Sequence, residues 1–317
     1  MNMPFHTMFI FTLMISSIIA ISSSSWFIMW LSLELNLFSF MTLIMAQTQT
    51  KPNEAAAKYF MIQSIASSLL MFNIIIMATN SSMNMFIMMA MMMKLGLVPT
   101  HSWFPNVAKH LTWINNLILM TWQKLAPLMV ITLKIMYFKM PLIASMSALI
   151  GASLALNQTQ FRQIMALSSI SHMGWMITPS IISPTMTCMY FLMYSTMLTP
   201  LMIFLNNTNT SSSNLMLSTN TYPMFMIQLL SLAGLPPLFG FIPKLLTFNF
   251  LMFNFMKLYA LILMISSLIS LLFYSKISFN SFFNTNMKMF SHMNPTLSLI
   301  HLLMIWPLML PMCMLTI

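Results

Sequence analysis

The chain predicts an all-α integral membrane protein of about eleven transmembrane helices. Its 317 residues are 59% hydrophobic and only 4% charged, and the mean hydropathy is +0.87. No Asp, Glu, Lys or Arg occurs anywhere across 163–243. A soluble domain carries about 25% charged residues, so this surface is unsuited to water. Five glycines and abundant Leu, Ile, Met and Phe favour helices over a barrel. Barrel strands would alternate polar and apolar residues instead.

A crossing helix needs about 20 apolar residues. Runs of that kind fall at 4–22, 25–46, 55–79, 83–112, 114–135, 141–157, 163–182, 184–205, 223–255, 257–278 and 296–316. The first mimics a signal peptide but lacks a basic start, so it is expected to be the first crossing. Pro52, Asn53 and Glu54 open the third, with Asn53 expected as the cap and Glu54 at the positive helix end. Connections are short and polar, the longest being NNTNTSSSNLMLSTNT at 206–221. The sequon-like Asn80-Ser-Ser and Asn209-Thr-Ser read as chance matches in Asn/Ser-rich loops.

Eleven crossings place the two ends on opposite sides. Lys51, Lys58, Lys109, Arg162, Lys276 and Lys288 then share the N-terminal side, against Lys134, Lys139 and Lys257 on the other. That excess places the N-terminus inside. The net charge of +10 is scattered in single residues without a basic patch, so it reads as topology and excludes a nucleic-acid partner.

Two runs are too long for one straight crossing, and both are broken. The run 83–112 breaks around Gly96 and Pro99; the run 223–255 breaks around Gly234, Pro236, Pro237, Gly240 and Pro243. Irregular backbone at membrane depth persists only when buried in protein or lining water. The breaks lie five helices apart, and an odd count makes successive units run in opposite directions. The expected organisation is therefore two inverted five-helix repeats, 1–136 and 137–278, followed by a C-terminal loop and helix at 279–317. Broken helices at matching places in inverted repeats point to a transport site.

Four ionisable side chains interrupt these apolar runs: Glu34, Lys94, Lys124 and Lys244. A charge at bilayer depth costs about 2.5–3.5 kcal/mol on insertion scales, so such residues mark function. Hydrocarbon disfavours the ammonium form of a lysine, and a nearby carboxylate favours it. Moving Glu34 relative to Lys94 would therefore change a proton affinity, the elementary step of a pump. The alternative is a static Glu34–Lys94 ion pair locking two helices, but one acid cannot neutralise three amines. Lys124 has a second reading, a side chain reaching to an interface. His172 in SSISHMGWM is either a fifth proton site, matched to Glu34 under the repeat register, or a neutral ring bonded to a hydroxyl. His101 and His110 belong to the first break and its exit.

Cys188 and Cys313 lie in apolar segments and read as small buried hydrophobes. Two cysteines cannot hold an iron–sulfur cluster, and GxGxxG, P-loop and HExxH patterns are missing. The 43 methionines are filler. Any redox cofactor is expected to belong to a partner.

The motifs WLSLELN, EAAAKYF, MKLGLVPTHSWFP, TWQKLAP, LNQTQFRQIMALSSISHMGWM and LAGLPPLFGFIPK run in order from residue 31 to 244. Together they resemble the NADH dehydrogenase subunit 2 family, antiporter-like membrane-arm subunits of respiratory complex I. Residues 245–317 match in hydropathy alone. High Met, Asn, Ile and Phe usage is similar to that of AT-rich mitochondrial genomes. The resemblance implies a multi-pass protein of the mitochondrial inner membrane with its N-terminus in the matrix. It implies proton translocation coupled to electron transfer, making the chain part of a translocase. Glu34 would modulate Lys94, Lys124 would connect the halves, Lys244 would serve the second half, and His172 would lie between them. NADH, FMN, iron–sulfur clusters and ubiquinone would belong to the parent complex, with no cofactor or metal in this chain. Its partners would be other complex I membrane-arm subunits, neighbouring antiporter-like subunits among them, and the lipid bilayer. The competing expectations are a stand-alone cation/proton antiporter and a structural membrane-arm subunit without its own proton path.

Overall fold

The computed structural model describes residues 3–47, 52–79, 84–134, 140–181, 183–207 and 222–285. All regular structure among the described residues is helical. The elements are α1 (Met3–Ser22), α2 (Trp26–Met45), α3 (Pro52–Thr79), α4 (Asn84–Leu95), α5 (Trp103–Ala108), α6 (Trp113–Met120) and α7 (Trp122–Lys134). They continue as α8 (Met140–Leu156), α9 (Phe161–Ile177), a 3-10 turn (Thr178–Ile181), α10 (Pro184–Asn207), α11 (Tyr222–Ala233), α12 (Phe241–Phe253) and α13 (Lys257–Thr285). Five segments are long and apolar enough to cross a membrane: Trp26–Met45, Pro52–Ile76, Trp113–Leu133, Pro184–Asn207 and Lys257–Asn280. Shorter apolar helices fall at His6–Ser22, Met85–Leu95, Met140–Leu156, Pro223–Ala233 and Phe241–Phe253, and the crossing expected at 296–316 lies outside the described residues.

These helices are apolar on both faces, as a lipid setting requires. On α2, Met29, Leu33, Phe40 and Ile44 are buried while Phe27, Leu31, Leu35 and Phe38 are exposed. Polar side chains tie neighbours together by bonding backbone carbonyls, a recurrent device between membrane helices. Trp30 Nε1 donates to Ser67 O at 3.1 Å, joining α2 to α3, and Asn115 Nδ2 donates to Leu43 O at 3.2 Å, joining α6 to α2.

The core is built around α9, which is buried from Ile164 to Ile177. Helix α8 packs along it through Ala144, Ala148 and Gly151. A Cβ at Gly174 would sit 2.5 Å from Ala144 O and 2.6 Å from Ala148 Cβ, so only glycine allows this approach. Small residues bring helices close where hydrocarbon gives no hydrophobic push. Helices α5, α6, α10 and α13 also meet α9, which therefore touches elements that precede and follow it in the chain.

Two local expectations change. Helix α3 begins at Pro52, which places Asn53 inside the first turn rather than at the cap. Proline suits the first helical position because its φ is preset and its missing N–H would bond nothing there. The run 114–135 is not one straight helix but α6 and α7, interrupted at Thr121. The Thr121 hydroxyl donates back to Leu117 O at 2.7 Å, and Pro127 inside α7 removes the N–H that would bond the carbonyl one turn earlier.

Gly174→Leu should drive α8 off α9 and abolish recovery of folded, monodisperse protein from the membrane. Met146→Leu, on an exposed face of α8, should leave the yield unchanged in the same size-exclusion measurement.

Candidate functional site

Both long helices break where glycine and proline interrupt them, and they end in the same backbone motif. Gly96 has φ +71° and Gly234 φ +84°, the left-handed region that glycine adopts freely. At the first break Gly96 N donates to Met93 O at 3.2 Å and Leu97 N to Met92 O at 3.0 Å. At the second, Gly234 N donates to Ser231 O at 3.0 Å and Leu235 N to Leu230 O at 3.4 Å. Each is a Schellman ending, which satisfies two otherwise orphaned carbonyls.

The two lysines beside these breaks lie on opposite sides of them. Lys94 is in the last turn of α4, before its glycine, whereas Lys244 is in α12, beyond its glycine. Lys244 reaches back, and its Nζ donates to Ala233 O at 2.7 Å, at the end of α11. A cation there faces the negative end of the helix dipole. Gly234 leaves the room for it, because a Cβ would lie 2.9 Å from Lys244 Cδ and 3.0 Å from Nζ. The Trp175 ring lies 5.9 Å from the same amine. At the first break Trp103 Nε1 donates to Met93 O at 3.2 Å and Gln63 Nε2 to Lys94 O at 3.3 Å.

Lys124 is 2% exposed, so it does not reach to an interface. Its Nζ donates to Ser169 O of α9 at 3.1 Å and sits 4.7 Å from the centre of the Phe104 ring. A backbone dipole and an aromatic face are the partners available to an amine without a carboxylate. Lys94 and Lys244 are 7% and 6% exposed, equally enclosed.

A cavity of about 20 Å³ joins Lys94 to Lys124, room for about one or two waters. Asn36, Tyr59, Gln63 and Gln123 supply its polar wall. Glu34 does not line it. That carboxylate is half-buried on α2 and within electrostatic reach of Lys94 and Tyr59. Among the described residues the only ion pair is Glu54–Lys58, on an exposed face of α3. The static Glu34–Lys94 pair is therefore not formed.

His172, 3% exposed, lies in electrostatic reach of both Lys124 and Lys244. Its Nδ1 shares a 3.1 Å hydrogen bond with Tyr190 Oη, the hydroxyl contact left open as its alternative role. The Tyr194 ring lies 5.0 Å from it. His101 is in the first break and His110 in the turn after α5. The structure thus brings Lys94, Lys124, His172 and Lys244 into one enclosed row, with Glu34 at its edge. Sequence reasoning missed Tyr59, Gln63, Gln123, Tyr190 and Tyr194, because their meeting with the lysines and His172 depends on how distant helices pack. Among the described residues no three of His, Cys, Asp and Glu gather in a way that could hold a metal.

An all-helical membrane protein with two interrupted helices and a row of enclosed amines belongs to the class of antiporter-like membrane subunits. The family described as NADH:quinone oxidoreductase/Mrp antiporter, TM, matches residues 23–273. NADH-ubiquinone oxidoreductase chain 2 of Lumbricus terrestris is 39% identical over 85% of this chain and 84% of its own. Its counterparts from Locusta migratoria and Canis rufus are 38% and 35% identical, the latter over 98% of both chains. A chain of respiratory complex I from Thermus thermophilus shares the fold, with a TM-score of 0.82 at 19% identity over 96% of this chain and 76% of that one. A chain of the Mrp complex from Dietzia sp. gives a TM-score of 0.77 at 15% identity, over 90% of this chain and 61% of that one. The chain belongs to the NADH-ubiquinone oxidoreductase chain 2 family.

Gly234→Ala should cost about 1–2 kcal/mol through the forced left-handed φ alone, and should crowd the Lys244 amine besides. A thermal-unfolding scan in detergent should show a lowered midpoint. Leu235→Ala, the neighbouring change, should show a smaller drop.

Proposed function

We propose that this chain translocates protons as an antiporter-like subunit in the membrane arm of respiratory complex I. The observation that carries this reading is the enclosed row Lys94, Lys124, His172 and Lys244, which no carboxylate neutralises. An amine held at the edge of ionisation exchanges protons, and one already neutralised by a salt bridge does not. Four basic groups in sequence cannot all carry charge in a dry interior at once, since like charges oppose each other there. A proton placed on one member therefore favours its release from the next. Glu34 biases the row from its edge: a carboxylate near Lys94 stabilises the ammonium, and neutralising or withdrawing it sends the proton towards Lys124.

On this reading the chain crosses the membrane eleven times as two inverted repeats, 1–136 and 137–278, followed by 279–317. The matched Schellman endings support the repeats. So does a register running through both breaks: Gly-Leu-x-Pro at Gly96–Pro99 and Gly234–Pro237, with a further proline six residues on at Pro105 and Pro243. In that register Lys244 corresponds to Asn106, so the repeated element is the break itself and each half places its lysine differently. The protein would sit in the mitochondrial inner membrane with its N-terminus in the matrix, beside other membrane-arm subunits, antiporter-like neighbours among them. Electron transfer from NADH through FMN and iron–sulfur clusters to ubiquinone would take place in those other subunits.

Lys94→Met and Glu34→Gln should each leave the complex assembled and lower NADH-driven proton pumping in proteoliposomes, Lys94→Met by about tenfold or more. Assembled variants that pump at the parental rate would defeat the reading. Isolation of the chain as an active oligomer free of NADH-oxidising partners would favour a stand-alone antiporter.

A further inference from the structure

The cavity between Lys94 and Lys124 contains an arrangement that the lysines alone do not explain. Asn36 on α2 and Gln123 on α7 both line it. Among the described residues neither Asn36 Oδ1 nor Gln123 Nε2 has a hydrogen-bond partner, although both atoms are buried. One is an acceptor and the other a donor, and leaving such groups unbonded is costly. The rest of the Gln123 amide is engaged: Tyr59 Oη donates to Gln123 Oε1 at 3.3 Å. Tyr59 is itself clamped, its ring 5.2 Å from Phe40 and 6.0 Å from Trp103. The hydroxyl therefore holds the amide by its oxygen, and the NH₂ is the end without a partner among the described residues.

We propose that Asn36 and Gln123 form a binding site for water in this cavity, and that Tyr59 keeps the Gln123 amide oriented, so that the three side chains position the water through which a proton passes between Lys94 and Lys124. The cavity has the volume for one or two waters, and a water needs two to four polar partners, which this wall provides. The ammonium of one lysine gives its proton to the water as the water gives one of its own to the neutral amine of the other. The water is restored and one proton has moved. Asn36, Tyr59 and Gln123 exchange no proton in this step; they are positioning residues. The inference rests on the reading of Lys94 and Lys124 as proton sites.

The test uses the assembled complex in proteoliposomes, with Gln123→Met, Tyr59→Phe and Lys94→Met compared with the parent. Gln123→Met keeps the side-chain length and removes the amide, and NADH-driven pumping should fall about fivefold. Tyr59→Phe keeps the ring between Phe40 and Trp103 and should lower pumping about twofold. Both should raise the solvent deuterium isotope effect on pumping. A purely structural role would lower the amount of assembled complex and leave that isotope effect unchanged. Parental pumping and isotope effect in either assembled variant, with Lys94→Met impaired, would overturn the positioning role alone. Parental pumping in Lys94→Met would overturn the proton-path reading beneath it. If Gln123→Met does not assemble, Tyr59→Phe, which deletes a single hydroxyl, decides the question.

Discussion

Enclosing an amine away from water is the constraint around which the rest of this structure is arranged. Lys94, Lys124 and Lys244 need partners for their N–H groups, and the membrane portion offers one carboxylate, Glu34, which does not pair with any of them. To Lys124 and Lys244 the chain supplies weaker and more distributed partners instead: a mid-helix carbonyl at Ser169 and the face of Phe104 for the first, the carbonyl ending α11 at Ala233 and the face of Trp175 for the second. Dipoles and π-faces stabilise an ammonium less firmly than a salt bridge does.

The helix breaks follow from the same need. An intact helix spends its carbonyls on its own N–H groups, so a lysine beside it finds few free acceptors. Ending α11 at a left-handed glycine exposes the carbonyl that Lys244 uses, and the same glycine leaves room for the side chain. At the other break Trp103 adds a second bond to the Met93 carbonyl, which Gly96 N already uses, and Gln63 takes the carbonyl of Lys94. That ties the backbone of Lys94 to α3 and α5, two of the helices whose residues wall the cavity. The third interruption, at Thr121, lies one turn before Lys124. Every enclosed lysine therefore sits next to irregular backbone, and α9, closed around by its neighbours, offers the Ser169 carbonyl to Lys124 and the Trp175 ring to Lys244.

Much of this was legible in the sequence because charge in a hydrocarbon run is conspicuous. Lys94, Lys124 and Lys244 stand out by composition alone, and Gly96-Leu-Val-Pro99 and Gly234-Leu-Pro-Pro237 announce their breaks. The break at Thr121 was not announced, because a threonine that bonds its own helix backbone has no distinctive spacing. Tyr59 and Gln123 were invisible for another reason. They lie far apart along the chain, and their meeting depends on how α3 packs against α7, which no local pattern encodes. The same holds for Tyr190 and Tyr194 around His172. Glu34 was legible as a buried acid, yet its half-buried position at the margin of the row is a product of helix rotation.

On the proposed function the enclosed amines form one continuous proton route and do not merely occupy separate buried pockets. A density map of the assembled complex, at a resolution that places ordered water, tests it most directly. Waters should join Lys94 to Lys124 through the shared cavity, and a hydrogen-bonded chain should run past His172 to Lys244. Dry, close-packed apolar contact separating Lys124 from either neighbour would contradict it.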